Sequence, residues 1–205
     1  FPIVQGGTDV ELRSQCIEAL VKRDCDGYAI GGLSGGEEKD VFWRIVRHSA
    51  EQLPHDRPIY CMGVGYAPDL IVCVALGVDM FDCVYPTRTA RFGTALSWSG
   101  NMVLRNAKYR DDMRPIDAEC KCPTCTRGIS RALLHRIAGK EEVGCHLLTA
   151  HNVFFQLELM RRARVAINSG SFPEFVRQFM HDWFHSLDQV PQWVRDALTS
   201  VGISV

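Results

Sequence analysis

The chain has 205 residues, 46% of them hydrophobic and 23% charged, with a formal net charge of −1 at pH 7. That length and apolar content suit one domain with a sizeable core and exclude a disordered or fibrous chain. The near-neutral balance gives no global pull toward nucleic acid, so contact with a polyanion falls to local clusters of Arg and Lys. No run approaches the roughly 18 apolar residues of a membrane span.

The opening, Phe1-Pro2-Ile3-Val4-Gln5-Gly6-Gly7, has neither an initiator Met nor a basic leader and reads as a strand entering a glycine turn, as a fragment would. Asp9 is placed to cap a helix running to about Lys22, in which Val10, Leu12, Cys16, Ile17, Leu20 and Val21 recur near helical spacing. Gly27 to Ile30 reads as a second strand and Gly31 to Gly36 as an irregular glycine loop. A helix is expected from about Glu37 to Gln52, with Val41, Phe42, Ile45 and Val46 on its buried side. Pro58 to Met62 reads as a third strand, Pro68 to Leu76 as a helix, and Val78 to Asp82 as a fourth strand that opens into a charged loop containing Arg88 and Arg91.

Alternation of strand, glycine turn and helix is the signature of a parallel sheet with crossover helices. Four such units are half of the eight in a closed barrel of about 250 residues. The expected fold is therefore α/β, the C-terminal half of a (β/α)8 TIM-like barrel, with an inserted zinc-binding subdomain and C-terminal helices. Residues 1–92 would supply the barrel units, 93–170 a hairpin, the zinc-binding region and a long helix, and 171–205 the terminal helices. The hairpin is expected around Ser99-Gly100-Asn101, and helices over Arg131 to Ile137, about Val143 to Asn168, Pro173 to His185 and Pro191 to Ser200. In such a fold Gln5, the glycine loop, Met62 to Gly65 and Asp82 share the rim where ligands bind.

Nine cysteines, six of them scattered and three clustered, favour a reducing compartment with one metal site. Cys120-x-Cys122-x2-Cys125 is the strongest chemical signal by spacing: three thiolates on a tight turn occupy three corners of a tetrahedron, and a helical imidazole closes a structural Cys3His zinc site. Free thiols or a redox pair are the alternatives. His151 is one candidate for the fourth ligand, with His135 and His146 competing. The glycine loop lacks the pattern of a phosphate cradle; it is either a plain turn or a surface for a flat ligand lying on the backbone. Asp82 by itself is either a hydrogen-bonded strand-end acid or a nucleophile, with Cys83 as an alternative.

Together, Phe1 to Gly7, Ile30 to Glu37, Met62-Gly63-Val64-Gly65, Asp79 to Arg88 and the Cys120, Cys122, Cys125, His151 set resemble the tRNA-guanine transglycosylases over essentially the whole chain. The nearest likeness is to the eukaryotic catalytic members. The resemblance implies a zinc-containing TIM-barrel glycosyltransferase that replaces guanine by queuine at the wobble position of tRNAs with a GUN anticodon. It assigns Asp82 as the nucleophile and Gln5, Gly32, Leu33, Gly35, Met62 and Gly63 to the base pocket. RNA contacts fall to Gly63, Val64, Gly65, Tyr66, Ala67, Pro68 and Asp69, and to Thr87, Arg88, Thr89, Ala90 and Arg91. Cys120, Cys122, Cys125 and His151 become the zinc ligands. Bacterial members carry a branched residue where this chain has Gly35, so the resemblance points to the bulkier queuine as the incoming base.

The family's general acid/base aspartate lies in an N-terminal half absent from these 205 residues, which leads to the expectation that the chain alone turns over poorly. Implied partners are the tRNA, the base, and a homologous accessory subunit or a second copy. The implied location is the cytoplasm, with peripheral association at the mitochondrial outer membrane by family analogy. A non-catalytic, zinc-stabilised RNA-binding or scaffold subunit of the same fold is the runner-up. An unrelated barrel enzyme for a free nucleobase is a distant third.

Overall fold

A computed structural model describes all residues, 1–205, which fall into two compact units: residues 1–83 with 190–205, and residues 84–189. In the first unit, strands β1 (Ile3–Val4), β2 (Tyr28–Ile30), β3 (Ile59–Met62) and β4 (Met80–Asp82) form a parallel sheet in the order β1-β2-β3-β4. They alternate with helices α1 (Val10–Val21), α2 (Lys39–Gln52) and α3 (Ala67–Ala75). Each crossover leads to the adjacent strand and always in the same direction. With right-handed connections that places successive helices side by side on one face, and α1 does touch α2 as α2 touches α3.

Local chemistry explains where these elements start. Asp9 caps α1, its carboxylate accepting from the Glu11 and Leu12 N–H groups at 2.9 and 3.1 Å. At Gly6 (φ +138°) a Cβ would lie 2.9 Å from the Arg13 backbone nitrogen, so only glycine lets the chain turn this tightly into the helix. On α2 the buried side chains are Phe42, Trp43, Ile45, Val46, Ser49 and Ala50, while Val41 is 37% exposed. Val41 was expected on that face. Positions 42, 45, 46, 49 and 50 follow the i, i+3, i+4, i+7, i+8 stripe and Val41 lies off it. A further helix, α9 (Gln192–Thr199), packs on α2 and α3 through the buried Val194, Ala197 and Leu198.

The ladder is regular. Val4 pairs with Ile30, Ile30 with Cys61 and Cys61 with Phe81, a row of buried or half-buried side chains across the sheet. The next residue of each strand, Gln5, Gly31, Met62 and Asp82, therefore forms a second row at the C-terminal ends. The central strand β2 is buried throughout, whereas the edge strands expose Ile3 (41%) and Met80 (47%).

The second unit begins with α4 (Tyr85–Arg91), a segment whose Pro and paired Arg read as a loop in the sequence. Pro86 falls in the first turn, where its missing N–H costs nothing and its fixed φ suits a helix. The hairpin of β5 (Thr94–Ser97) and β6 (Gly100–Val103) follows. Ser97 faces Gly100 across it, so the turn is Trp98-Ser99, slightly earlier than expected. Helices α5 (Pro123–Thr126), α6 (Arg131–Ile137), α7 (Glu142–Asn168) and α8 (Phe172–Phe184) complete the unit. Its core joins Ala90, Leu104, Ile116, Leu134 and Leu148 to Cys122 and Cys125. None of the nine cysteines is in a disulfide, and no helix is long and apolar enough to cross a membrane.

Candidate active site and metal centre

In the first unit the rim row brings four sequence-marked residues side by side. Asp82 ends β4 and is exposed, with both of its protein hydrogen bonds on one oxygen: the Tyr60 hydroxyl donates to Oδ1 at 2.5 Å and the Gly63 N–H donates to it at 3.1 Å. Oδ2 is thereby left for a ligand. The Tyr60 hydroxyl first, and then the Gly63 N–H, hold the Asp82 carboxyl below the usual carboxylate range. The carboxylate is thus ionised at neutral pH. Tyr60, pushed up to about 12 mainly by that same bond, keeps its proton and stays a donor.

On the same rim the start of the glycine loop, Gly31-Gly32, is shaped by contacts that leave no room for side chains. A Cβ on Gly31 would lie 2.5 Å from Ile3 Cγ2 and 3.2 Å from Gln5 Nε2, and one on Gly32 (φ +70°) would lie 2.8 Å from Gln5 Oε1. The Gln5 amide therefore lies against the Gly31-Gly32 backbone. Further along, Ser34 has φ +62°, a left-handed conformation that costs a non-glycine residue free energy. Glu37 holds the turn: its carboxylate accepts from the Ser34 N–H at 2.6 Å and the Gly35 N–H at 2.9 Å. Burial works against the Glu37 charge, yet these backbone donors keep its carboxyl below the ordinary range. Gly35 has an unstrained backbone and nothing within 4 Å of a Cβ, so its side faces open space.

Other sequence-marked residues are placed differently. Of Gly63 to Asp69, Gly63 is exposed and Tyr66 half-buried, while Val64, Gly65, Ala67, Pro68 and Asp69 are buried. Asp69 is ion-paired with Lys39. In the second unit Thr87, Arg88, Thr89, Ala90 and Arg91 all lie on α4; Arg88 and Arg91, three residues apart, are exposed on one face, and Ala90 is buried.

The second unit gathers Cys120, Cys122, Cys125 and His151 so that their ligand atoms all lie within 4.8 Å of one another. His151 Nδ1 is 3.7, 3.4 and 3.5 Å from the three sulfurs in that order. A tetrahedral zinc with Zn–S of about 2.3 Å and Zn–N of about 2.1 Å sets its sulfur and nitrogen ligands about 3.6 Å apart. The donors fit that ion. The other ring nitrogen, Nε2, is 2.8 Å from the Leu96 carbonyl, which fixes Nδ1 as the ligand atom. His135 instead bonds the Leu104 carbonyl, and His146 is exposed, so neither competes.

Within the set the sulfurs and the imidazole shift one another's protonation. Burial opposes the Cys122 thiolate, but His151 and the Cys125 N–H stabilise it and bring the thiol down to about 6. Burial likewise opposes a charged His151, yet the three sulfurs push it up to about 12. Next to the ligand, Asn152 is fully buried and joins three segments: Oδ1 accepts from the Leu96 N–H at 2.9 Å, and Nδ2 donates to the carbonyls of Pro86 and Thr94 at 3.0 and 2.9 Å. A cavity of about 410 Å³ lined by Trp98, Phe154 and Phe155 reaches Cys120 and His151.

The parallel sheet with an exposed carboxylate at its rim, together with a Cys3His donor set, defines an α/β protein with a cluster that could hold a metal ion. More particularly, residues 1–185 match the model of the family described as queuine tRNA-ribosyltransferase, and the chain belongs to that family. It is 50% identical over 216 residues to the queuine tRNA-ribosyltransferase catalytic subunit of Caenorhabditis elegans, covering 98% of this chain and 54% of that protein. It is 51% identical over 212 residues to the catalytic subunit of Schizosaccharomyces pombe, covering 100% and 52%. With the queuine tRNA-ribosyltransferase of Thermus thermophilus it shares 44% over 202 residues, covering 98% and 52%. The chain spans about half the length of the curated relatives it matches.

Proposed function

We propose that this chain carries the nucleophile and most of the base pocket of an enzyme that exchanges guanine for queuine at the wobble position of GUN-anticodon tRNAs. The observation that carries the reading is Asp82: ionised, with Oδ1 immobilised by Tyr60 and Gly63 and Oδ2 open, in one row with Gln5, Gly31 and Met62. Oδ2 attacks the ribose C1′, the bond to the guanine nitrogen breaks, and its electron pair leaves with the base. The departed guanine takes up a proton from the enzyme's general acid/base, and the incoming base nitrogen gives its proton to that group as it attacks C1′ and returns the carboxylate, one difficult displacement split into two.

In this reading Gln5, Gly32, Leu33, Gly35, Met62 and Gly63 hold the base. Segment 63–69 contacts RNA through the exposed Gly63 and the half-buried Tyr66, and Thr87 to Arg91 through the exposed Arg88 and Arg91. Cys120, Cys122, Cys125 and His151 bind a structural zinc. The sequential strand order and the exposed edges of β1 and β4 support closure into a (β/α)8 barrel by further strands. The general acid/base and the rest of the pocket then belong to the portion of the relatives that these residues do not span, and the 205-residue chain alone is inactive. A homologous accessory subunit or a second copy completes a cytoplasmic enzyme. A non-catalytic scaffold subunit is the competing function.

An enzyme of full family length carrying these residues is expected to be trapped on tRNA as a denaturant-resistant adduct, and Asp82→Asn to abolish both the adduct and the exchange of labelled guanine. Exchange that survives Asp82→Asn refutes the reading. Gly35→Val, whose Cβ would meet no protein atom within 4 Å, is expected to spare guanine exchange and to depress queuine exchange by roughly tenfold or more. Equal rates for both bases would remove Gly35 from the pocket wall.

A further inference from the structure

Arg13, on the first turn of α1, has no solvent exposure. Its Nε donates to the Gly7 carbonyl at 2.7 Å and its Nη2 to the Gly31 carbonyl at 2.8 Å; Nη1, equally buried, has no acceptor. Cys61, Cys16 and Glu37 act on it electrostatically, and none of them is among its hydrogen-bond partners. A buried guanidinium without a paired carboxylate is costly to fold around, yet tying two loops together needs only neutral donors. The positive charge calls for another use, and its direction supplies one.

A trans peptide is planar, with its C=O and N–H pointing opposite ways. The Gly31 carbonyl points at Arg13, so the N–H of the same peptide, that of Gly32, points away from it. Gly32 is exposed, sits beside the Gln5 amide on the rim, and its N–H has no acceptor within the protein. A charge-assisted hydrogen bond to the carbonyl draws electron density through the amide and strengthens the N–H as a donor.

We propose that Arg13 is a positioning residue that fixes and polarises the Gly31-Gly32 peptide, so that the Gly32 N–H stabilises negative charge on the ring carbonyl oxygen of a departing 6-oxopurine. This rests on the transglycosylase reading above. When the C1′–N bond breaks, its electron pair stays on the base and delocalises onto that oxygen. A preorganised donor at the oxygen lowers the barrier as an oxyanion hole does. Arg13 itself touches no substrate; it acts through one peptide bond.

The test compares guanine with 2-aminopurine, which lacks the 6-oxo group, in an enzyme of full family length. Arg13→Met, similar in length but uncharged, is expected to weaken guanine binding and slow adduct formation by about tenfold or more, with 2-aminopurine binding changed by less than about twofold. A merely structural Arg13 would weaken both purines alike, and that result, or no change in either, overturns the proposal. If circular dichroism shows that Arg13→Met does not fold, Arg13→Gln, which keeps a neutral donor for Gly31, is judged by the same guanine to 2-aminopurine ratio. A wild-type enzyme that forms no adduct on tRNA refutes the underlying function. A wild type that forms it while the ratio is unchanged in the variant refutes only the role of Arg13.

Discussion

The two units solve opposite problems. In the second, the polar groups at its centre are closed on one another: three sulfurs, one imidazole and the Asn152 amide are nearly all buried, and each partner lies within the unit. In the first, the polar groups at the rim are held from one side only, with Asp82 Oδ2, the Gly32 N–H and the space beside Gly35 facing outward. Satisfied polar groups make a scaffold, while half-satisfied and rigidly held ones make a binding site. The proposed division, stability from the cysteine-histidine cluster and chemistry from the rim, rests on that contrast.

Removing the metal is the strongest way to break that contrast. Structural zinc contributes roughly 10–16 kcal/mol to folding in small zinc domains. Chelation, or Cys122→Ser, is expected to make residues 84–189 protease-sensitive and to abolish zinc in elemental analysis, while the 1–83 and 190–205 unit keeps its protection. Retained protection across residues 84–189 would show that the cluster is dispensable. A smaller loss is expected from Asn152→Ala, which takes the partner from the Leu96 N–H and the Thr94 carbonyl, while the Pro86 carbonyl keeps the Thr89 hydroxyl. The expected cost is about 3 kcal/mol, read as a lower midpoint in denaturant with zinc content unchanged.

The mildest probe concerns the rim. Asp82 is held below the usual carboxylate range, so adduct formation is present above that depressed pKa and is lost as pH falls through it. Tyr60→Phe removes the largest cause of the depression. The Asp82 pKa then rises, and the acid fall-off of the adduct-forming rate moves to higher pH, with the alkaline side unmoved. An acid limb that stays in place would show that Tyr60 has no hold on the carboxylate.

How much of this was legible in the sequence follows the same division. The strands, the crossover helices and the glycine turns could be read because period and punctuation are local. The cysteine cluster could be read because its spacing is short. The fourth ligand could not be chosen by spacing, since three histidines compete until α7 is folded against β5 and brings His151 to the sulfurs. Tyr60 went unmarked although a signal existed: Tyr60 and Met62 share one face of β3, and Met62 pairs with Asp82, so Tyr60 is its diagonal neighbour. Arg13 gave no such signal, because an arginine on an amphipathic helix ordinarily reaches solvent. Helix α4 was missed because a proline ahead of two arginines resembles a loop unless the proline is seen to occupy the first turn.

The return of residues 190–205 to the first unit has a consequence for how the chain is made. Residues 84–189 are continuous and can fold as soon as they emerge from the ribosome, whereas the sheet unit is split around them and waits for α9 to cover α2 and α3. Its contacts of greatest sequence separation therefore form last. During that interval the apolar surfaces of α2 and α3 stand uncovered. Biosynthesis is then most exposed to misassociation after residues 84–189 have already folded.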